Sequence, residues 1–311
     1  MNTPLGVAWA LAAGLMWGLV FVAPAILHDY PPAILSVSRY LSFGLIALPI
    51  ALAGRRAISA LTRDDWLEAA KLSLVGNLLY YGFLAAAVQS AGPPLPTMIV
   101  GSLPVVIAIA SNRGARALPW RRLAVPLAVI AAGILLVNRD ELAALGAGAG
   151  ERGGLLKGAL LAAAAVACWT WYPIRNAAWL RARPGLRSDT WATAQGLTTL
   201  PLALAGWLAL GLAGGDFDWP LGARPGLFVG LMLAIGLLAS WFGTLCWNRA
   251  SQLLPTSLAG QLIVFETLSA LAMGFAWRGE WPPAGSWLGI ALLVAGVVLG
   301  VRAFSPRGGA G

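Results

Sequence analysis

The sequence predicts an all-α membrane protein: ten transmembrane helices in two five-helix repeats of inverted topology, with both termini in the cytoplasm. Three observations predict it. Hydrophobic residues make up 59% of the chain and charged residues only 11%, against about 25% charged in an ordinary soluble domain. Ten apolar runs, each near the twenty residues a helix needs to cross the hydrocarbon core, leave little chain outside them. Segments of the first half also recur in the second.

The runs cover residues 5–27, 32–53, 66–90, 94–111, 122–138, 154–175, 189–213, 225–248, 254–275 and 284–303. The first has no basic segment before it and no small-residue cleavage site after it, so it reads as a retained helix rather than a signal peptide. Pro24, Pro49, Pro104, Pro126, Pro173 and Pro201 fall inside runs, which a membrane bundle tolerates because neighbouring helices re-satisfy the freed backbone groups. Between the halves, the Gly-x-Gly-x-Gly of residues 146–150 follows no strand and precedes no Gly-Lys-Ser/Thr, so it reads as a flexible linker rather than a phosphate loop. The domain boundaries are then 1–145 for the first repeat, 146–153 for the linker, 154–304 for the second repeat and 305–311 for a disordered tail.

Repetition carries the topology. GLIALPIALAG at 44–54 matches GLTTLPLALAG at 196–206 in eight of eleven positions, an offset of 152 at which Gly6 also falls on Gly158 and Trp17 on Trp169. AVIAAGILL at 128–136 falls on ALLVAGVVL at 291–299 after an insertion of eleven residues. Five being odd, the second unit enters the membrane from the opposite side, the arrangement of many secondary transporters. Counting Lys and Arg with the N-terminus inside puts fifteen within, from Arg55, Arg56 and Arg63 to Arg302 and Arg307, and five outside, Arg139, Arg152, Lys157, Arg224 and Arg278, as the positive-inside rule asks. The same distribution in short loops argues against nucleic acid as the reason for the net charge of +9.

Catalytic and cofactor chemistry is absent from the motifs: no P-loop, no His-Glu-x-x-His, no Gly-x-Ser-x-Gly, and one histidine in all. No enzyme activity, metal or cofactor is expected, nor is ATP-driven transport within this chain. Cys168 and Cys246 lie in apolar runs, where a thiol packs as a small hydrophobe. His28, beside Asp29 at the outer end of the first run, reads either as a solvated interfacial side chain or as a proton-linked gate.

Two charges fall inside runs, Arg39 in the second and Glu266 in the ninth. Each costs a few kcal/mol if it faces lipid, so each must face protein or water. Glu266 reads as a proton-coupling carboxylate or a counter-charge for a substrate amine, or else as a neutralised structural charge. Trp17, Tyr80, Tyr81, Trp169 and Trp241 fall near mid-span, where an indole N–H or phenol O–H needs a partner; Trp171, Tyr172, Phe242 and Trp247 lie close by. With Asn77, Gln261 and Asn248 they outline a cavity suited to a solute that joins a flat apolar part to an amine. The fourth run (Pro94, Pro96, Thr97, Gly101, Ser102, Pro104) and the ninth (Pro255, Thr256, Ser257, Gly260, Gln261) are interrupted at similar places, the pointer to a midplane site between repeats. The fifth and tenth runs hold almost no polar side chains, and Gly296 and Gly300 stand in Gly-x-x-x-Gly spacing; they read as peripheral packing helices that offer a homodimer contact.

These residues resemble a known family, the ten-helix drug/metabolite transporter superfamily with its EamA-like exporters, among them the bacterial aromatic amino-acid exporters. The likeness rests on the doubled unit across nearly the whole chain, Trp17 followed by Gly18, the SRYLSFG segment around Arg39, and Gly279-Glu280, Pro282, Gly289 and Gly296 at the last helix. It implies helices 1–4 and 6–9 around a central cavity, helices 5 and 10 outside, and alternating access by rocking of the halves. It implies Trp17, Tyr80, Tyr81, Trp169 and Trp241 as cavity residues and Arg39 as a structural residue. The second half departs from the first with Trp191 opposite Arg39 and Gln195 opposite Phe43, so ion coupling through a repeated charge is not expected. The function implied is export of amino acids, aromatic and other neutral ones, and similar amphiphiles across a bacterial plasma membrane. Export of cationic drugs or another metabolite is the alternative, and a membrane enzyme acting on a lipid-linked substrate a more distant one.

Overall fold

The computed structural model describes residues 3–21, 23, 26–91, 94–113, 117–139, 152–214, 217–279, 281–282 and 284–304. Most of the linker and the whole tail read from the sequence, and Glu280, lie outside them. Every regular element among the described residues is a helix. We label α1 Thr3–Gly18, α2 Pro32–Ala53, α3 Arg63–Ala91, α4 the pair Pro94–Gly101 and Leu103–Ser111, α5 Trp120–Val137, α6 Arg152–Ala182, α7 Ser188–Ala213, α8 Pro225–Leu253, α9 the pair Thr256–Leu262 and Val264–Arg278, and α10 Ala284–Phe304.

Eight of these, all but α1 and α4, are long and apolar enough to cross a bilayer. α1 is shorter than its run of 5–27, because a 3₁₀ turn at Leu19–Phe21 follows Gly18. α4 breaks at Ser102, whose hydroxyl donates to the Ile99 carbonyl at 2.6 Å, and α9 breaks at Ile263. α6 runs to Ala182, past the expected end at 175. The charge that marked the boundary is consumed inside the fold, since Arg175 pairs with Glu68. α3 opens on a capping box in which Thr62 and Asp65 exchange hydrogen bonds. α3 and α8 each contain one wide π-helical stretch, Leu74–Leu79 and Gly236–Phe242, the kind of defect that gathers at functional sites.

The principal packing pairs are α1 with α8 and α9, α6 with α3 and α4, α2 with α7, α4 with α9, and α5 with α10. Exchanging every helix for the one five places on returns the same set. The α5–α10 contact is reciprocal to the residue: a Cβ on Gly133 would meet Leu293 at 2.8 Å, and Gly296 likewise lies against Ile130. Each glycine–aliphatic pair is the other shifted by 163 residues, the self-complementary pattern of a two-fold contact. The glycine face of α10 is thus buried within the chain, so a dimer through α5 and α10 would have to use their outward faces, where Val125, Leu135, Val294 and Val298 are exposed.

Small residues set the remaining close approaches. Gly14 touches the backbone of Phe265 and Glu266, Gly18 touches Ser269, and Gly44 touches Leu200. In lipid, where helices gain nothing from hiding apolar surface, such close van der Waals contact holds the bundle. A methyl group at Gly44 would meet Leu200 Cβ at 2.5 Å and its Cα at 2.8 Å, so backbone must move, whereas one at Gly274 meets nothing within 4 Å. Gly44→Ala is expected to lower stability by about 1–3 kcal/mol and Gly274→Ala to leave it unchanged or raise it by about 0.5 kcal/mol, read from unfolding midpoints of the purified protein in detergent. Equal midpoints for the two variants would show that the α2–α7 contact is looser than described.

Candidate functional site

The aromatic residues of α1, α3, α6 and α8 converge. Trp17 meets Trp169 edge to face, centroids 5.5 Å apart and planes at 83°, and meets Trp247 at 5.4 Å. Trp169 in turn meets Tyr80 at 6.0 Å and Tyr172 at 5.9 Å. Such contacts add about 0.5–1.5 kcal/mol each beyond the area they bury. The two π-helical stretches make room for the cluster: Gly76 in one lies against the Tyr172 ring, and Gly243, just past the other, has no Cβ where the Trp17 indole nitrogen would stand 2.9 Å from it. Tyr172 and Trp247 are buried, while Trp17, Tyr80 and Trp169 keep partial exposure.

Arg39 and Glu266 face the same region. The Arg39 guanidinium lies over the Tyr40 ring, 4.4 Å from its centroid. Glu266 sits in the first turn after the break in α9, and its backbone N–H donates to the Ile263 carbonyl at 2.9 Å. Arg39, Glu266 and Tyr80 are within electrostatic reach of one another, yet among the described residues no ion pair within 4 Å joins the two charges. Both are half-buried. Arg39 of α2, Tyr80 of α3 and Glu266 of α9 thus bring a guanidinium, a phenol and a carboxyl group to one region of the bundle. Chemically, a guanidinium can hold a carboxylate and a carboxylate can hold an ammonium.

A polar layer lies next to the aromatics, organised by α7. Asn77 donates to Thr199 at 3.2 Å, and Ser73 to the Gln195 carbonyl at 3.0 Å. Tyr172 donates to Gln195 Oε1 at 2.9 Å. Asn176 accepts from Trp191 at 2.8 Å and donates to Asn248 at 2.9 Å. Trp241 donates to Thr193 at 3.0 Å and packs with Tyr40 and Phe43. Tyr81 donates to the Pro32 carbonyl at 2.7 Å.

The residues singled out from the sequence therefore separate. Trp17, Trp169 and Tyr80 join the aromatic cluster, with Glu266 and Arg39 beside it. Asn77 and Trp241 belong to the polar layer, and Tyr81 ties α3 to the start of α2. Gln261 lies apart: it is fully buried, its amide donates to Ser257 within its own helix at 3.2 Å, and its carbonyl abuts Gly300 of α10. The residues the sequence reading passed over are Ser73, Asn176, Thr193 and Thr199. For Thr193 and Thr199 the trace was the Thr-x-x-Thr-x-Gln and Thr-Thr spacing of residues 190–199, which puts hydroxyls and an amide along one helix.

Ion pairs stand at both ends of the bundle. At one, Glu68, 1% exposed, takes two hydrogen bonds from Arg175, and Asp65 pairs with Arg183 at 2.6 Å and accepts from Trp179 at 3.2 Å; Arg183 lies 3.9 Å over the Trp179 ring. These join α3 to α6. At the other end Asp29, beyond α1, pairs with Arg224 at the start of α8, and the Tyr30 hydroxyl donates to the Leu221 carbonyl at 2.9 Å. Hydrogen bonding from Arg224 holds the Asp29 carboxyl below the usual carboxylate range. That pair is present at neutral pH and lost only as pH falls through the lowered value. Helices 3 and 6 at one end and 8 and 1 at the other are again the same partnership five places on.

Comparison with known proteins extends over nearly the whole chain. The EamA-like transporter family pattern matches residues 4–139. The chain is 49% identical over 307 residues to the inner membrane protein YtfF of Escherichia coli (strain K12), spanning 96% of this chain and 95% of that protein. A protein crystal structure with 20% sequence identity superposes with a TM-score of 0.73 over 95% of this chain and 96% of that one, a likeness of fold.

The two partners of the Glu68–Arg175 pair are unequally buried, at 1% and 44% exposure. Removing the arginine strands a carboxylate away from water, whereas removing the carboxylate leaves a guanidinium that turns to solvent. Arg175→Gln is therefore expected to cost about 2–3 kcal/mol and Glu68→Gln about 1 kcal/mol, read from thermal unfolding in detergent. The reverse order would mean that Lys71, 3.8 Å from Glu68, already suffices as its partner.

Proposed function

This chain belongs to the EamA-like transporter family of the drug/metabolite transporter superfamily and is a multi-pass protein of the bacterial inner membrane, and we propose that within it the protein exports neutral amino acids, aromatic ones among them. The observation that carries the reading is the pair Arg39 and Glu266, opposite charges set near the aromatic cluster that among the described residues form no ion pair with each other. An α-amino acid presents complementary charges, a carboxylate for Arg39 and an ammonium for Glu266. Its side chain lies against Trp17, Trp169 and Tyr80. Arg39, which the family resemblance makes structural, takes a binding role in this reading.

The chain crosses the membrane ten times, in the proposal, as repeats 1–145 and 154–304 with both termini in the cytoplasm, α1 and α4 being crossings although one is short and the other broken. The packing set that is unchanged on exchanging halves, and the excess of arginine at one face, support this. Alternating access follows from rocking one half against the other. In this reading the chain is closed toward the face where α6 and α8 end, which the Asn176–Asn248 hydrogen bond between them supports. α1 and α3, their counterparts, pack less closely, which supports an opening toward the other face.

Counterflow of labelled amino acids into proteoliposomes tests the reading. Phenylalanine and other neutral amino acids are expected to exchange. Trp169→Ala is expected to raise the half-saturating concentration about tenfold, the loss of one to two aromatic contacts. Arg39→Gln should abolish amino-acid exchange while leaving exchange of a cationic amphiphile that lacks a carboxylate, and Glu266→Gln should remove both. Exchange of such cations with no amino-acid exchange in the unmodified protein would overturn the amino-acid assignment in favour of cation export.

A further inference from the structure

At the end of α2 the chain turns through Gly54 into the short helix Arg55–Ser59, and that turn faces the first turn of α7 across a partly open cavity of about 470 Å³. Three guanidinium groups and one carboxylate line it: Arg55, Arg56, Arg187 and Asp189. The carboxylate is already engaged, taking hydrogen bonds from Arg187 Nε at 3.0 Å and Nη2 at 2.5 Å and from the Thr190 backbone N–H at 2.7 Å. Arg55 and Arg56 are exposed and among the described residues enter no ion pair. The cavity is therefore left with two uncompensated positive charges.

An apolar stripe leads to it. Leu45, Leu48 and Leu52 are 47%, 41% and 74% exposed, and their spacing places them along one face of the last turns of α2. In a membrane that face lies against acyl chains, so the protein offers a hydrocarbon rail ending at a basic socket. We infer that this cavity binds the phosphate-bearing headgroup of an anionic phospholipid, with Arg55 and Arg56 holding the phosphate through the planar donor fork of the guanidinium. The lipid bridges α2 to α7, one helix from each half, so its occupancy stabilises their contact. This rests on the membrane placement of α2 and not on which solute is carried.

The full-length protein, stripped of lipid in detergent and titrated with phosphatidylglycerol, provides the test, with the unfolding midpoint as readout. Phosphatidylglycerol is expected to raise the midpoint and phosphatidylcholine not to. In Arg55→Gln/Arg56→Gln the apparent binding of phosphatidylglycerol should weaken about thirtyfold, two arginines at about 1 kcal/mol each, while the midpoint without lipid stays that of the unmodified protein. Arg121→Gln/Arg122→Gln, which removes an exposed basic pair at the start of α5, should keep the full response, and Arg55→Lys/Arg56→Lys should keep part of it. An undiminished response in Arg55→Gln/Arg56→Gln, or equal losses in the α5 pair, would overturn the site in favour of general surface attraction. A midpoint raised as far by inorganic phosphate would overturn the lipid in favour of a soluble anion.

Discussion

Lipid offers no partner to a backbone group, so a helix within the membrane can break only where protein or enclosed water takes over its hydrogen bonds. Among the described residues the helices break or widen at the π-helical stretches of α3 and α8, at Ser102 in α4 and at Ile263 in α9. The functional features follow from those defects. Widening α3 sets Gly76 against Tyr172, and the break in α9 falls at Ile263, three residues before Glu266.

Much of this was legible in the residues, and what was not has identifiable reasons. Mid-span Trp17, Trp169 and Tyr80, and the isolated charges Arg39 and Glu266, stood out because lipid penalises them, and the same penalty brings them together. Pro and Gly announced the breaks in α4 and α9. The π-helical stretches had no residue signature, because LVGNLL and GLLASWF would form ordinary helix and are widened by what packs against them. Gln261 was misjudged as a cavity residue because composition names a polar side chain but not the face of α9 it occupies. Nor could the end of α6 be read, since a charge inside a helix and a charge in a loop look alike until the partner carboxylate is placed.

Symmetry explains why one polar layer closes only one side. The packing set is unchanged when the halves are exchanged, yet the residues that would repeat the contact are not: Gln195 stands where the first half has Phe43, and Trp191 where it has Arg39. α7 thus carries hydrogen-bonding groups to α3, α6 and α8, while α2 at the matching depth presents an arginine and aromatic rings. The asymmetry puts a rigid polar seam on one side of the aromatic cluster and a charge-bearing, partly exposed wall on the other.

The ionic contacts at the two ends differ in the same sense. Glu68 and Asp65 are almost wholly buried, and their arginines are held by two hydrogen bonds or by stacking on Trp179; opening that end must desolvate or separate charges that water cannot easily reach. Asp29 and Arg224 are more than a third exposed, and water replaces their contact at little cost. Moving a two-state equilibrium from one extreme to the other takes several kcal/mol of differential binding. On the function proposed here, a solute that bridges Arg39 and Glu266 supplies energy of that order only if both charges contract around it, drawing α2 and α9 together. In that proposal the unpaired state of the two charges is what leaves the bundle free to respond to its cargo.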